Sequence, residues 1–98
     1  MNRYEILQQA RDDLREIALH IGQDSPETAE EFVGELLTKI AWVAENPKLY
    51  RERFEWDPNL RIATHGKYHI IYYIAEEIIE IVRVVHASRN LEAIMDIL

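Results

Sequence analysis

Apolar side chains recur along this chain in two rhythms, helical in the first half and strand-like after residue 60. Ala10, Leu14, Ile17, Ala18 and Ile21 repeat at helical spacing, with Arg11, Asp12, Asp13, Arg15 and Glu16 on the other face. Gly22 then ends the helix, as a residue free to leave helical geometry does. Ser25-Pro26-Glu27 opens a second helix: the serine oxygen can accept an orphan amide, proline suits the first helical position, and glutamate suits the positive dipole end. Its buried stripe is Ala29, Phe32, Val33, Leu36, Ile40, Val43 and Ala44, and Asn46-Pro47 stops it because the residue before proline resists helical geometry. The two helices read as an antiparallel hairpin, preceded by a short strand over Tyr4 to Leu7.

Residues 47–59 have no clear period; they place Tyr50, Phe54 and Trp56 among charged side chains and end in the turn cluster Asp57-Pro58-Asn59, so they read as a loop with aromatic anchors. Three strands follow, Leu60 to Thr64, Tyr68 to Ala75 and Ile78 to Val85, joined by His65-Gly66-Lys67 and by Glu76-Glu77. Two adjacent glutamates make a poor two-residue turn, and a longer one fits the pattern as well. Ala87 to Leu98 carries Leu91, Ile94, Met95 and Leu98 at helical spacing, as a terminal helix or a frayed tail.

Neither long strand alternates cleanly. Tyr68, Ile70, Tyr72 and Ile74 lie on one face and His69, Ile71, Tyr73 and Ala75 on the other, and both faces are largely apolar. An antiparallel sheet covered on one side only should show polar residues opposite apolar ones. A helical hairpin covers one face, so the second face is expected to be left for a partner. Trp42, well off the helix-two stripe centred on Leu36 and Ile40, is a second candidate anchor. The fold class is α+β: one domain, 1–98, with the N-terminal helical hairpin packed on a mostly antiparallel four-stranded sheet.

Composition narrows the function. Apolar residues make up 48% of the 98 and charged residues 30%, the balance of a folded domain, and a chain of this length supports one core. Without cysteine there is neither a disulfide framework nor a thiolate metal site. The start lacks a signal-peptide core and no apolar run approaches a membrane span, which makes the cytoplasm the default location and a membrane role unexpected. The formal charge of −7 is uneven: residues 1–46 hold four Lys/Arg against ten Asp/Glu, and residues 47–98 seven against eight. A general or sequence-specific nucleic-acid binder needs a basic surface, so none is expected. No Gly-rich phosphate loop, nucleophile elbow or His-Glu-x-x-His helix is present. His65 and His69 straddle a glycine turn with no companion ligand pair, so neither a metal nor a cofactor is expected.

Several stretches carry a resemblance: Ala10-Arg11-Asp12-Asp13-Leu14 with Ile17, Glu45-Asn46-Pro47, Asn59-Leu60-Arg61, Gly66-Lys67-Tyr68-His69-Ile70-Ile71-Tyr72-Tyr73, and the block from Ile81 to Asn90 containing Arg83, Val85-His86 and Arg89. Together with the order strand, helix pair, three strands, this resembles the RelE/ParE superfamily of toxins (plasmid stabilisation proteins) over nearly the whole chain. The resemblance implies a toxin held in a hetero-oligomer with a cognate antitoxin, whose disordered segment folds on it.

RelE-like members cut messenger RNA on the ribosome, and ParE-like members poison DNA gyrase without known bond-breaking chemistry. The nuclease draws on several basic side chains around a developing phosphorane and on a C-terminal proton-transfer residue. Beyond Arg89 this chain has no tyrosine, histidine, lysine or arginine, which favours the ParE-like branch. Arg61, Arg83, His86 and Arg89 are the candidate target-binding residues, and Arg61, Arg83 and His86 the catalytic set of the RelE-like alternative. A third reading is a non-toxic member acting only as a binding module. Leu14, Ile17, Trp42, Tyr50, Phe54 and Trp56 are the candidate antitoxin contacts. Each has a plainer role open to it: Arg83 as a structural arginine paired with a carboxylate, His86 as a strand-end histidine bonded locally, and the aromatics as cover for the core edge.

Overall fold

Ser25 begins the longer helix as its residue type allows, its hydroxyl accepting the Thr28 N–H at 3.2 Å, with Pro26 in the first turn and Glu27 at the positive end of the dipole. The computed structural model describes residues 3–98. Its elements are β1 (Arg3–Ile6), α1 (Gln8–Gly22), α2 (Pro26–Glu45), β2 (Glu52–Arg53), β3 (Asp57–His65), β4 (Tyr68–Ala75), β5 (Ile78–His86) and α3 (Leu91–Met95). Among the described residues no helix is long and apolar enough to cross a membrane.

The sheet has five strands in the order β1-β5-β4-β3-β2, with β1 parallel to β5 and the other neighbours antiparallel. This corrects the expectation of four strands. The extra one, β2, is two residues long with an irregular register inside the segment that has no sequence period, so no pattern announces it. Residues 57–59, expected as a turn, open β3, with the Asp57 carboxylate accepting the Asn59 N–H at 2.8 Å.

Both hairpins close in two residues. His65 pairs with Tyr68 around Gly66, whose φ of 58° suits a glycine at the first turn position. Ala75 pairs with Ile78, so Glu76-Glu77 is a two-residue turn after all, and Glu77 adopts φ 63°, a left-handed conformation unfavourable for a side chain with a Cβ.

Helices α1 and α2 cover one face, packing Ala10, Leu14, Ile17, Leu36, Ile40 and Val43 against Ala63, Ile70, Tyr72, Ile79, Ile81 and Val84. The other face is not open. Leu60, Ile62, Ile71, Val82 and Val85 are buried there with Ile94 of α3, and Leu7, Trp56, Leu91 and Met95 pack around them. The apolar residues that pointed to an uncovered sheet face are therefore a second core, closed by the C-terminal segment and the β2–β3 connection. One physical reason for the broken alternation is a bulge: Tyr72 pairs with Ile81 and Ile71 with Arg83, so Val82 is an extra residue that changes which side chains of β5 face the helices.

Candidate functional site

Strand β1 ends at Ile6, and after the Leu7 N–H meets the Ile81 carbonyl at 2.9 Å the chain turns into α1. The rest of β5 thus has no strand on that side. Asp13 of α1 takes the vacant position: its carboxylate accepts the Val84 N–H at 2.9 Å, and the Arg83 guanidinium donates to it through Nε at 2.8 Å and Nη2 at 3.1 Å. Both side chains are buried. The Asp13 hydrogen bond, opposed by desolvation, raises the arginine pKa above its already high ordinary value. The apolar stripe leaves Asp13 on the polar side of α1, yet at about 100° per residue it lies only about 40° from Ile17, at the edge of the buried stripe. That angular position is the signal by which it could have been found.

Arg61 is also committed internally. From β3 it donates to the Lys48 carbonyl at 3.2 Å, the Tyr50 carbonyl at 2.6 Å and the Glu52 carboxylate at 3.1 Å, while its buried Nε has no partner. The Tyr72 hydroxyl donates to the Pro47 carbonyl at 2.6 Å. These two buried groups tie the segment after α2 to the sheet. Burial pushes the Tyr72 phenol up to about 12, which keeps its proton on the donor.

His86 and Arg89 lie on a cleft of about 240 Å³ between α1 and the end of β5, shared with Glu16, His20 and Tyr68. The Ser88 N–H donates to His86 Nδ1 at 3.0 Å, which makes that nitrogen the acceptor and leaves the ring proton of the neutral form on Nε2. The ring also meets Tyr68 edge-on at 5.2 Å. Arg61 and Arg83 sit on strands separated by β4, about 10 Å apart at ordinary strand spacing, and their guanidinium groups are held by β2-side carbonyls and by α1 respectively. The cleft that holds His86 is lined by neither Arg61 nor Arg83.

The candidate partner contacts divide by burial. Leu14 and Ile17 are core, and Tyr50 and Trp56 are half-buried against the two core clusters. Trp42 and Phe54 are the exposed members, at 42% and 69%. Lys39 Nζ stands 4.6 Å from the Trp42 ring centre, and Arg53 lies 4.7 Å from that of Trp56. His65 bonds Glu35 of α2 at 3.1 Å, whereas His69, opposite Thr64, keeps a buried Nδ1 without a partner. Desolvation lowers the His69 pKa.

The profile of the family described as "ParE toxin of type II toxin-antitoxin system, parDE" matches residues 4–91. Among solved structures, a chain of the chromosomal ParDE toxin–antitoxin system from P. aeruginosa is similar with a TM-score of 0.75 and 19% identity, over 88% of this chain and 96% of that one. A chain of the RelBE2 toxin–antitoxin complex from Mycobacterium tuberculosis is similar with a TM-score of 0.61 and 18% identity, over 87% and 96%. At these identities the likeness is one of fold. A search of the curated proteins gives no match.

Proposed function

The chain belongs to the ParE toxin family of type II toxin–antitoxin systems, and from that premise we propose that it poisons DNA gyrase by protein–protein binding, breaks no bond itself, and is neutralised by a cognate antitoxin. The observation that carries the non-enzymatic part is the internal commitment of its basic groups. A nuclease of this fold would need free guanidinium groups converging on a phosphate. Here Arg83 is consumed by Asp13 and Arg61 by two carbonyls and Glu52. His86 offers a proton-bearing Nε2 and an occupied Nδ1, a poor arrangement for a general base.

A poison of this kind acts by binding the cleaved-DNA state of its target more tightly than the resealed state, so it shifts a population and needs no chemistry of its own. Arg89 and His86 at the cleft and Phe54 on the segment after α2 are the exposed groups we assign to target recognition. The Pseudomonas and Mycobacterium relatives were solved as toxin–antitoxin systems, which supports an antitoxin for this chain.

The test is induction without antitoxin, followed by purified gyrase. Growth arrest with accumulated gyrase–DNA breaks and inhibited supercoiling is the expected result. Messenger RNA cut inside translated codons, with gyrase unaffected, would instead establish the ribonuclease reading, and harmless induction would establish a binding module.

A further inference from the structure

Strand β1 closes one end of the sheet, and among the described residues no strand pairs with its outer side. One bond fixes its hydrogen-bonding phase. In a parallel ladder alternate residues of a strand direct both N–H and C=O at the neighbour, and the residues between them direct both away. The Leu7 N–H on the Ile81 carbonyl makes Arg3, Glu5 and Leu7 the inward residues, so Tyr4 and Ile6 turn their backbone groups to the outer side. Arg11 fits that phase, its Nε donating to the Ile6 carbonyl at 2.8 Å. The Ile6 carbonyl is thereby occupied. Tyr4 is exposed, and among the described residues its outward N–H and C=O have no partner.

The charges beside Tyr4 are unmatched. Glu5 lies in register with Glu80 of β5, two like charges on one face of the sheet, an arrangement that weakens a ladder. Arg3 shares that face, and none of the three forms an ion pair among the described residues. A second β1 running antiparallel, with the two Tyr4 residues opposite one another, supplies what is missing. The tyrosines then exchange both backbone bonds. Arg3 of each copy faces Glu5 of the other, so the pairing is self-complementary about a twofold axis. The neighbouring registers fail: Tyr4 against Ile6 puts Glu5 opposite Glu5, and Ile6 against Ile6 needs carbonyls that Arg11 already holds.

We propose that β1 is a self-recognition edge, through which two copies of this chain pair as an antiparallel ladder centred on Tyr4 and join their sheets. The strand has only four residues, against roughly twenty a side in a standard stable interface, so the dimer is a weak one that forms and dissociates with concentration. The net charge of −7 on each copy opposes it. At about 0.15 M salt the screening length is about 8 Å, which suppresses that repulsion between distant charges and leaves the directly opposed Arg3–Glu5 pairs largely intact.

Sedimentation equilibrium of the full-length protein, from the micromolar to the millimolar range at that salt, should show a monomer–dimer equilibrium. Arg3→Glu and Glu5→Arg should each weaken it at least about tenfold by setting like charges opposite one another. Mixed together, these two variants should associate again, because one then carries two acids where the other carries two bases. Tyr4→Pro removes the outward N–H without touching the β1–β5 ladder, and it should abolish the dimer while changing the urea midpoint little. A parent chain that stays monomeric throughout overturns the proposal. So does a dimer that survives the charge reversals or Tyr4→Pro, or a mixture of the two reversed variants that fails to associate.

Discussion

Replacing Asp13 by alanine removes one carboxylate and strands two donors. The Arg83 guanidinium loses both of its bonds to the carboxylate, and the Val84 N–H loses its acceptor on the side of β5 that β1 no longer covers. Breaking a buried pair from one side typically costs about 3 to 5 kcal/mol, because the charge left behind remains desolvated. An unpaired buried N–H adds roughly 1 kcal/mol or more. A domain of this size has a total stability of only about 5 to 15 kcal/mol, so Asp13→Ala should lose about half of it or more. If the stranded charge is the main loss, Arg83→Met in the same chain should restore most of what Asp13→Ala removed, leaving mainly the Val84 amide uncompensated. Urea denaturation followed by circular dichroism, with the slope checked for constancy, measures all three. An Asp13→Ala loss below about 1 kcal/mol, or a double variant no more stable than the single, would refute the assignment of this pair as a buried, structural one.

Glu77→Gly relieves the left-handed turn residue and should stabilise the protein by about 0.5 to 1 kcal/mol after the greater freedom of glycine in the unfolded chain is allowed for; an unchanged or lower urea midpoint would contradict it. Ile94→Ala opens a cavity in the second core and should cost about 2 to 5 kcal/mol, whereas a frayed C-terminal segment would give nearly no change in melting temperature. The Tyr72 phenol is raised to about 12 by burial, so its contribution is complete below the ordinary value near 10 and is lost as the pH climbs from there through about 12. Stability measured across that alkaline window should fall in the parent protein and fall less in Tyr72→Phe.

Much of the helical layer was legible because its signals are local. Ser25-Pro26 fixed a helix start, Asn46-Pro47 a stop, and the stripe through Leu36 and Ile40 the buried side. The strands of the two hairpins were legible for the same reason, with Gly66 marking the turn. The parallel edge pairing of β1 with β5 joins Arg3 to Ile78, and nothing near either residue encodes the other. Nor does a two-residue strand such as β2 leave a period to read. Both-sided apolarity in β4 is legible, yet in the sequence it points to a missing partner, because the covering side chains, Trp56 and Ile94, come from segments whose own patterns are short. At the candidate site the residue types were visible and their pairings were not: Asp13 and Arg83 are 70 positions apart, and Arg61 is spent largely on backbone carbonyls, which every residue has.

The parallel edge has a bearing on when the molecule comes into being. β1 is synthesised before the other strands, yet among the described residues its strand neighbour is β5, the last of them, and the second core waits for Ile94 beyond that. At about 5 to 20 residues per second, translation spends several seconds on the intervening chain. The native arrangement can therefore close only after β5 and the segment carrying Ile94 have been made. Until then the nascent chain lacks its finished surface, and any partner that reads both faces of the sheet must wait for that late closure.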